Sequence, residues 1–276
     1  MEITFNKIFV IESLPADEPQ TGSDLHNDII RRRLWAHENI TSEICKINSK
    51  QEFYDLMVSI ENQVENENVI PYLHFETHGN LDGFFLNSAE QVHWVELNSN
   101  LVEINFKTKN KLWISLATCY GAYIYTTYSL VRPAPFYGYI GAWTELHIED
   151  IPVSFERYFE VLLNSFDMEA AVKALNLHNP KLPVEYRLYS SKDVFEKAYS
   201  DYEEKTFTEK GLDERADRII SLGKRGPNNL PNLPKKELKE FIKIKLKEKK
   251  QLYREKYFNK FMMIDEYPEI KERFVD

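Results

Sequence analysis

Short apolar runs alternate with longer amphipathic segments along the first 150 residues of the chain. The short runs are rich in β-branched and aromatic residues, which favours strands, whereas the longer segments place apolar residues every three or four positions, which favours helices. This order is typical of an α/β fold with a mostly parallel sheet and helices on both faces. Six strands are predicted, at Ile3–Ile11, Ser42–Ile47, Val69–Thr77, Lys111–Thr118, Phe136–Trp143 and Tyr186–Tyr189.

Helices and connecting segments are predicted between these strands. Ser49 is a favourable N-cap residue, so a helix is expected to begin there and to run to about Gln63. A long helix after the fifth strand is indicated by apolar residues that recur at helical spacing, namely Phe155, Tyr158, Phe159, Leu162 and Leu163. The other predicted elements are a loop at Ser13–Thr21, a helix at Asp24–Trp35, a hairpin at Phe84–Trp94 and an amphipathic segment at Glu96–Phe106.

The composition changes near Gly223. We therefore predict a main domain at residues 1–222 and a C-terminal helical extension at residues 223–276. The segment Gly226–Pro234 is rich in proline, glycine and asparagine, which is typical of a linker. Beyond it, apolar residues recur at helical spacing from Lys235 to about Phe261, which predicts one helix.

Charge is divided unevenly between these two parts. Residues 223–276 hold 15 Lys and Arg against 9 Asp and Glu, whereas residues 1–222 hold 20 against 35. An acidic main domain argues against nucleic acid as the ligand, because neutralising phosphates requires a positive surface. The basic extension is interpreted either as an amphipathic helix packed on the domain or as an arm that docks on it, inhibits it or contacts a regulatory protein.

The overall composition indicates a soluble globular protein. Hydrophobic residues make up 43% of the chain, aromatic residues 13% and charged residues 29%. No run approaches the ~18 apolar residues of a membrane span, and the N-terminus lacks the pattern of a secretion signal, so we expect a cytoplasmic protein without a membrane partner. Two cysteines, Cys45 and Cys119, are too few for a disulfide framework.

Two turns place reactive side chains at the carboxyl ends of predicted strands, each beside a glycine. The third strand is followed by His78 and Gly79, and the fourth strand is followed by Cys119. Functional groups gather at this edge of an open parallel sheet, and neighbouring strands lie only about 4.8 Å apart. A histidine and a cysteine in this position are a base and a nucleophile, and the amides of Gly79 and Cys119 are suited to hold an oxyanion.

This pattern resembles the caspase-like cysteine peptidases of clan CD, which include caspases, metacaspases, gingipains, separase and the bacterial CHAT peptidases. The resemblance rests on an apolar strand that ends in His78-Gly79 and on one that ends in Ala117-Thr118-Cys119, and it covers about Ile3–Asp150. It implies a three-layer sandwich with strand order 2-1-3-4-5-6. It also implies a protein or peptide substrate, no metal, no organic cofactor and a bacterial stress or phage-defence role.

The resemblance assigns roles to individual residues. It implies that Cys119 is the nucleophile, that His78 is the acid and base, and that Gly79 donates to the oxyanion. The segment Gly138–Glu145 resembles the fifth-strand segment that borders the primary specificity pocket in separase and CHAT enzymes. Within it, Trp143 is expected to form a wall of the pocket and to stack on an arginine side chain of the substrate.

The residue two positions before the cysteine bears on the substrate preference. Related enzymes often carry an acidic residue or glutamine there, whereas this chain has Ala117. We expect cleavage after a basic residue, because the acidic domain would oppose an acidic substrate, for which Arg132 is the nearest partner. The negative charge must then come from elsewhere in the chain. The candidates are Glu145, Glu149, Asp150 and Asp24.

Less specific interpretations remain open for the same residues. Cys119 could be a buried strand-end thiol, and Cys45 is interpreted in that way because no His-Gly turn accompanies it. His74 and His78 do not form a metal pair, because residues four apart on a strand lie about 13 Å from each other. Two alternative functions are a catalytically inactive binding module with the same fold and a cysteine-dependent hydrolase of small amides.

Overall fold

The computed structural model describes residues 4–177, 185–223 and 230–274. The strands are β1 (Lys7–Ser13), β2 (Thr41–Lys46), β3 (Pro71–Gly79), β4 (Gly83–Phe85), β5 (Gln91–His93), β6 (Trp113–Ala117), β7 (Gly138–Ala142) and β8 (Tyr186–Ser190). The α-helices are α1 (Thr21–Asp24), α2 (Arg31–Leu34), α3 (Lys50–Glu67), α4 (Trp94–Lys107), α5 (Asp150–Ser165), α6 (Met168–Asn176), α7 (Ser191–Thr206), α8 (Glu209–Gly223), α9 (Lys235–Glu248) and α10 (Lys250–Phe261). A π-helical segment, Leu25–Ile30, joins α1 to α2, and 3-10 helices form at Gly121–Thr127 and Pro268–Phe274.

The main sheet is mixed and mostly parallel. Its strands lie in the order β2-β1-β3-β6-β7-β8, which is 2-1-3-4-5-6 when these six are numbered among themselves. Only β8 runs antiparallel to its neighbour, and β4 and β5 form a hairpin beside the end of β3. The prediction of a mostly parallel α/β sheet is therefore confirmed, and the strand order is the one that the resemblance implies.

Side chains alternate between two helical layers along the central strand. His74 of β3 packs 4.7 Å from the ring of Phe155 on α5, measured between ring centroids. The next residue, Phe75, faces the opposite layer and packs on Phe84, which in turn contacts Phe53 of α3. The sheet is therefore covered on both faces, and the α5 face carries a polar side chain where the other face carries an aromatic one.

The C-terminal part of the chain packs in two places. The predicted helix from Lys235 to Phe261 is two helices, because the backbone turns at Lys249 (φ −90°, ψ 6°). Helix α9 shares a small core with α8, and the segment that follows α10 enters the main core. The small core contains Leu212, Ala216, Ile242 and Leu246, and the main core includes Phe261, Met262, Met263, Ile264, Ile270 and Phe274.

Ion pairs also cross from α9 to α8. The ammonium of Lys243, on a residue only 8% exposed, lies 2.7 Å from a carboxylate oxygen of Glu209 and 3.1 Å from one of Asp213. The predicted boundary at residue 223 therefore falls between two helices that pack on each other. Part of the predicted linker, residues 226–229, lies outside the described residues.

No helix in the described part of the chain is both long enough and apolar enough to cross a membrane.

Candidate active site

His78 and Cys119 end two neighbouring parallel strands at the same level. In the register between β3 and β6, Glu76 pairs with Ala117, and His78 and Cys119 each lie two residues further along. The hydroxyl of Thr77 donates to the hydroxyl oxygen of Thr118 at 3.1 Å, so the two chains remain together beyond the last paired position. The structure therefore brings the predicted base and nucleophile to the same edge of the sheet.

Gly79 is required by the close approach of the two strand ends. A Cβ atom at this position would lie 2.6 Å from the carbonyl oxygen of Cys119 and 2.6 Å from Oγ1 of Thr118. Real Cβ atoms do not approach backbone oxygens so closely, so any other residue here would displace the turn that carries Cys119. Its predicted part in binding an oxyanion remains a prediction.

The turn that follows β6 leaves a backbone donor beside the thiol. Tyr120 adopts a left-handed conformation (φ 59°, ψ 20°), and its N–H donates to the carbonyl of Thr144 at 3.0 Å. Within the described residues, the N–H of Cys119 itself has no acceptor. A free amide next to a nucleophile can donate to an oxyanion formed there.

Cys119 is half-buried beneath the loop that follows β7. Its Sγ accepts a hydrogen bond from the N–H of Leu146 at 3.2 Å and lies 3.9 Å from the carbonyl oxygen of the same residue. A tyrosine hydroxyl also reaches this loop, since Tyr120 donates to Glu145 at 3.3 Å. Three successive residues of the loop, Thr144, Glu145 and Leu146, therefore contact Cys119 or its neighbour Tyr120.

His78 is half-exposed and has an acidic partner. Its Nε2 lies 2.7 Å from Oε2 of Glu18, which belongs to the loop between β1 and α1. In the described part of the chain, no hydrogen bond joins His78 to Cys119. Catalytic hydrogen bonds are often long before substrate binds, so this arrangement is compatible with a dyad at rest.

Two acidic residues lie near a buried tyrosine at the carboxyl end of the sheet. Tyr186 starts β8 opposite Ala142, at the carboxyl end of β7, and its ring packs on Phe155 at 5.3 Å. Burial raises the pKa of Tyr186 well above its usual value, and the nearby charges of Glu76, Cys119 and Asp150 raise it further. Glu76, Asp150 and Cys119 therefore all lie near Tyr186, and of the two acidic residues only Asp150 was a sequence candidate.

Two carboxylates are buried side by side at the carboxyl ends of β1 and β3. Glu12 and Glu76 are paired in the register of these strands and are 2% and 1% exposed. Glu12 accepts from both the N–H and the hydroxyl of Ser23, at 2.9 and 2.6 Å, and pairs with Lys46 at 3.1 Å. Glu76 accepts from the hydroxyl of Thr21 at 2.9 Å. Sequence reasoning missed both residues, because they occupy ordinary polar positions in strands.

His74 connects this buried cluster to β6. Its Nε2 lies 2.9 Å from Oε1 of Glu76, and its Nδ1 lies 2.7 Å from the hydroxyl oxygen of Ser115. Both ring nitrogens therefore have partners within the sheet layer, as expected for a structural histidine. The described residues hold no group of three or more His, Cys, Asp or Glu side chains placed to bind a metal ion.

The remaining predicted site residues differ in their surroundings. Ala117 is buried at the end of β6, and Glu145 lies in the covering loop. The indole N–H of Trp143 donates to the hydroxyl of Tyr189, and its ring packs 5.1 Å from that of Tyr123, so it is held among aromatic residues of the fold.

Asp24 has no described contact with the thiol. It is exposed on α1 and lines a cavity of about 160 Å³ together with Pro19, Thr21 and Pro152. Arg132 lines two cavities beside α4, with Ser99 and Pro133 at both. No hydrogen bond or ion pair of the described residues joins Asp24 or Arg132 to His78 or Cys119.

Comparison of the chain with models of protein families gives no match, and comparison with curated proteins gives no match either.

Proposed function

We propose that this protein is a cysteine peptidase of the caspase-like type that uses Cys119 and His78. His78 takes the proton of the Cys119 thiol, and the sulfur attacks the carbonyl carbon of a peptide bond. The N–H groups of Cys119 and Gly79 stabilise the resulting oxyanion. His78 then gives its proton to the leaving amine, and water hydrolyses the thioester to release the acid and the free thiol.

One observation carries this proposal. The register of β3 and β6 brings His78 and Cys119 to the same level on adjacent strands, 41 residues apart in the chain. The side chains also turn to the same layer, since His78 bonds Glu18 before α1 and Cys119 lies near Tyr186 and Asp150 on the α5 face. The strand order, the close approach at Gly79 and the free N–H of Cys119 support the same reaction.

A basic residue is the preferred side chain on the amino side of the cleaved bond. Glu76 and Asp150 place negative charge near Tyr186 and the thiol, which opposes an acidic side chain. Both oxygens of Glu76 already accept from His74 and Thr21, so Asp150 is the carboxylate that remains to pair with the substrate. Asp24, which lines a cavity together with Pro19 and Pro152, remains a sequence prediction.

The test is cleavage of four fluorogenic peptides that differ only in having Arg, Lys, Asp or Leu at the cleavage position. We expect the wild-type protein to cleave the Arg and Lys peptides, and Cys119→Ala and His78→Ala to lower kcat/KM by about 1000-fold or more. Cys45→Ala is the matched control, because Cys45 is buried in β2, and it should retain activity. Equal cleavage by the wild type and Cys119→Ala would exclude the peptidase.

A binding module without catalytic activity is the second candidate. It is favoured by one observation, that the thiol and the imidazole each hydrogen-bond to a different partner. Its partner surface would be the outer face of α9, where Phe241 is 38% and Ile244 is 55% exposed. If the wild type cleaves no peptide, and if Ile244→Glu abolishes binding of a partner protein while Cys119→Ala retains it, this second function is the correct one.

A further inference from the structure

The partner of His78 lies far from it in the chain. Glu18 is 60 residues away, yet one of its carboxylate oxygens lies 2.7 Å from Nε2 of the imidazole. Exposed ion pairs usually contribute little, because two long side chains must be ordered to form them. Here, however, Glu18 is only about one-third exposed and His78 is about half-exposed, so the pair is partly shielded from water.

The loop that carries Glu18 is held in place by its own hydrogen bonds. The N–H of Glu18 donates to the carbonyl of Pro15 at 3.1 Å, which closes a turn. The side-chain amide of Gln20 donates to the carbonyls of Pro15 and Glu18, at 2.9 and 3.2 Å, and its oxygen accepts from Lys46 at 3.1 Å. The proline at position 15 restricts the same segment. The backbone at Glu18 is therefore held by hydrogen bonds that do not involve His78.

The pair also determines which imidazole nitrogen is left to accept a proton. A carboxylate accepts hydrogen bonds, so Glu18 holds the proton on Nε2 and leaves Nδ1 as the nitrogen that can accept the thiol proton. When the imidazole becomes positively charged, the carboxylate stabilises that charge. The arrangement provides both orientation and electrostatic support for the base.

We propose that Glu18 is a positioning residue that orients His78 and stabilises its protonated form. This inference rests on the proposed function, since it assigns a third member to the Cys119–His78 pair. Glu18 acts through His78 and does not contact the substrate. Removing its charge should slow the proton transfers without weakening substrate binding.

The first measurement is independent of peptide cleavage. Iodoacetamide is reacted with the full-length protein at pH 7, and the alkylation of Cys119 is followed by mass spectrometry. We expect Glu18→Gln to slow this reaction about threefold to tenfold, because fewer thiolate–imidazolium pairs form. Asp17→Asn, an exposed neighbour in the same loop, is the matched control and should react like the wild type.

The second measurement separates kcat from KM on the preferred peptide. Glu18→Gln should lower kcat by roughly 10-fold to 100-fold with KM unchanged within a factor of two, and Glu18→Asp should recover part of the loss. If Glu18→Gln equals Asp17→Asn in both measurements while His78→Ala is slow, the role of Glu18 is wrong and the dyad stands. If His78→Ala is alkylated as fast as the wild type, the dyad itself is wrong.

Discussion

The backbone N–H of Leu146 donates a hydrogen bond to Sγ of Cys119 at 3.2 Å. The loop after β7 therefore contacts the thiol directly and covers part of it. In the proposed peptidase, a polypeptide substrate would displace this loop before its carbonyl carbon approaches the sulfur. Opening of the loop would then be part of substrate binding.

Hydrogen exchange at Leu146 should report this contact. In Cys119→Ala the N–H loses its acceptor, and we expect its exchange to accelerate about 10-fold, in line with the free energy of one hydrogen bond. Cys119→Ser keeps a hydrogen-bond acceptor in the side chain, so the N–H of Leu146 should exchange much more slowly in this variant than in Cys119→Ala. The N–H of Tyr120, which donates to Thr144, is the internal control. The same exchange rate in all three proteins would show that the thiol does not hold the loop.

Gly79→Ala should damage the site more than the fold. The added methyl group would lie 2.6 Å from the Cys119 carbonyl oxygen, so the turn that carries the thiol must shift. We expect kcat/KM to fall by at least about 100-fold, as is common when reacting groups move by an ångström. The melting temperature should fall by roughly 2 to 8 °C. Leu81→Ala, half-exposed in the adjacent turn, should change neither quantity, and full activity of Gly79→Ala would contradict the close approach.

Cys45 should resist alkylation in the folded protein at pH 8. Burial, assisted by Glu43, raises the pKa of Cys45 to about 12 from its usual 9.0. Iodoacetamide at pH 8 should therefore label Cys119 and leave Cys45 unmodified until the pH approaches 12 or the protein is unfolded. Because the folded state holds this proton more tightly than the unfolded state, the contribution of Cys45 to stability is present below pH 9 and is lost as the pH rises towards 12. Rapid labelling of Cys45 at pH 8 in folded protein would refute its burial.

The buried hydrogen bond between His74 and Glu76 should be costly to break. Glu76→Leu removes the acceptor of both His74 and Thr21 and leaves polar groups unpaired inside the molecule. We expect the free energy of unfolding to fall by about 3 to 5 kcal/mol, measured by urea denaturation. Glu43→Leu, on the edge strand β2, is the control and should change it by less than about 1 kcal/mol. Similar losses in both variants would show that the buried cluster contributes little.

The strands, and the position of His78 and Cys119 at the same edge of the sheet, could be predicted because both rest on local patterns. An apolar run marks each central strand, and a reactive residue beside glycine marks its end. Parallel strands then bring these ends together by geometry alone. Glu18 could not be predicted in this way, since a contact across 60 residues from a loop leaves no periodic signal.

Other features escaped prediction for equally physical reasons. Glu12 and Glu76 look like solvent-facing positions in alternating strands, and only the packing of α1 on the sheet shows that they are buried. The break between α9 and α10 at Lys249 has no glycine or proline that would indicate it in the sequence. Helix α9 packs on α8 through a small apolar core and ion pairs such as Lys243 with Glu209, although composition alone had assigned the two helices to separate parts of the protein.

The last helical turns, Pro268–Phe274, dock at the amino ends of the strands, where Arg273 donates to the carbonyl of Asn110 at 3.0 Å. The proposed reaction site, at His78 and Cys119, lies at the other end of the same strands. Contacts that stabilise the fold and the proposed reaction site therefore lie at opposite ends of the sheet. Phe274→Ala removes a buried ring and should therefore lower the melting temperature. While the variant remains folded, the proposed peptide cleavage should proceed at the wild-type rate.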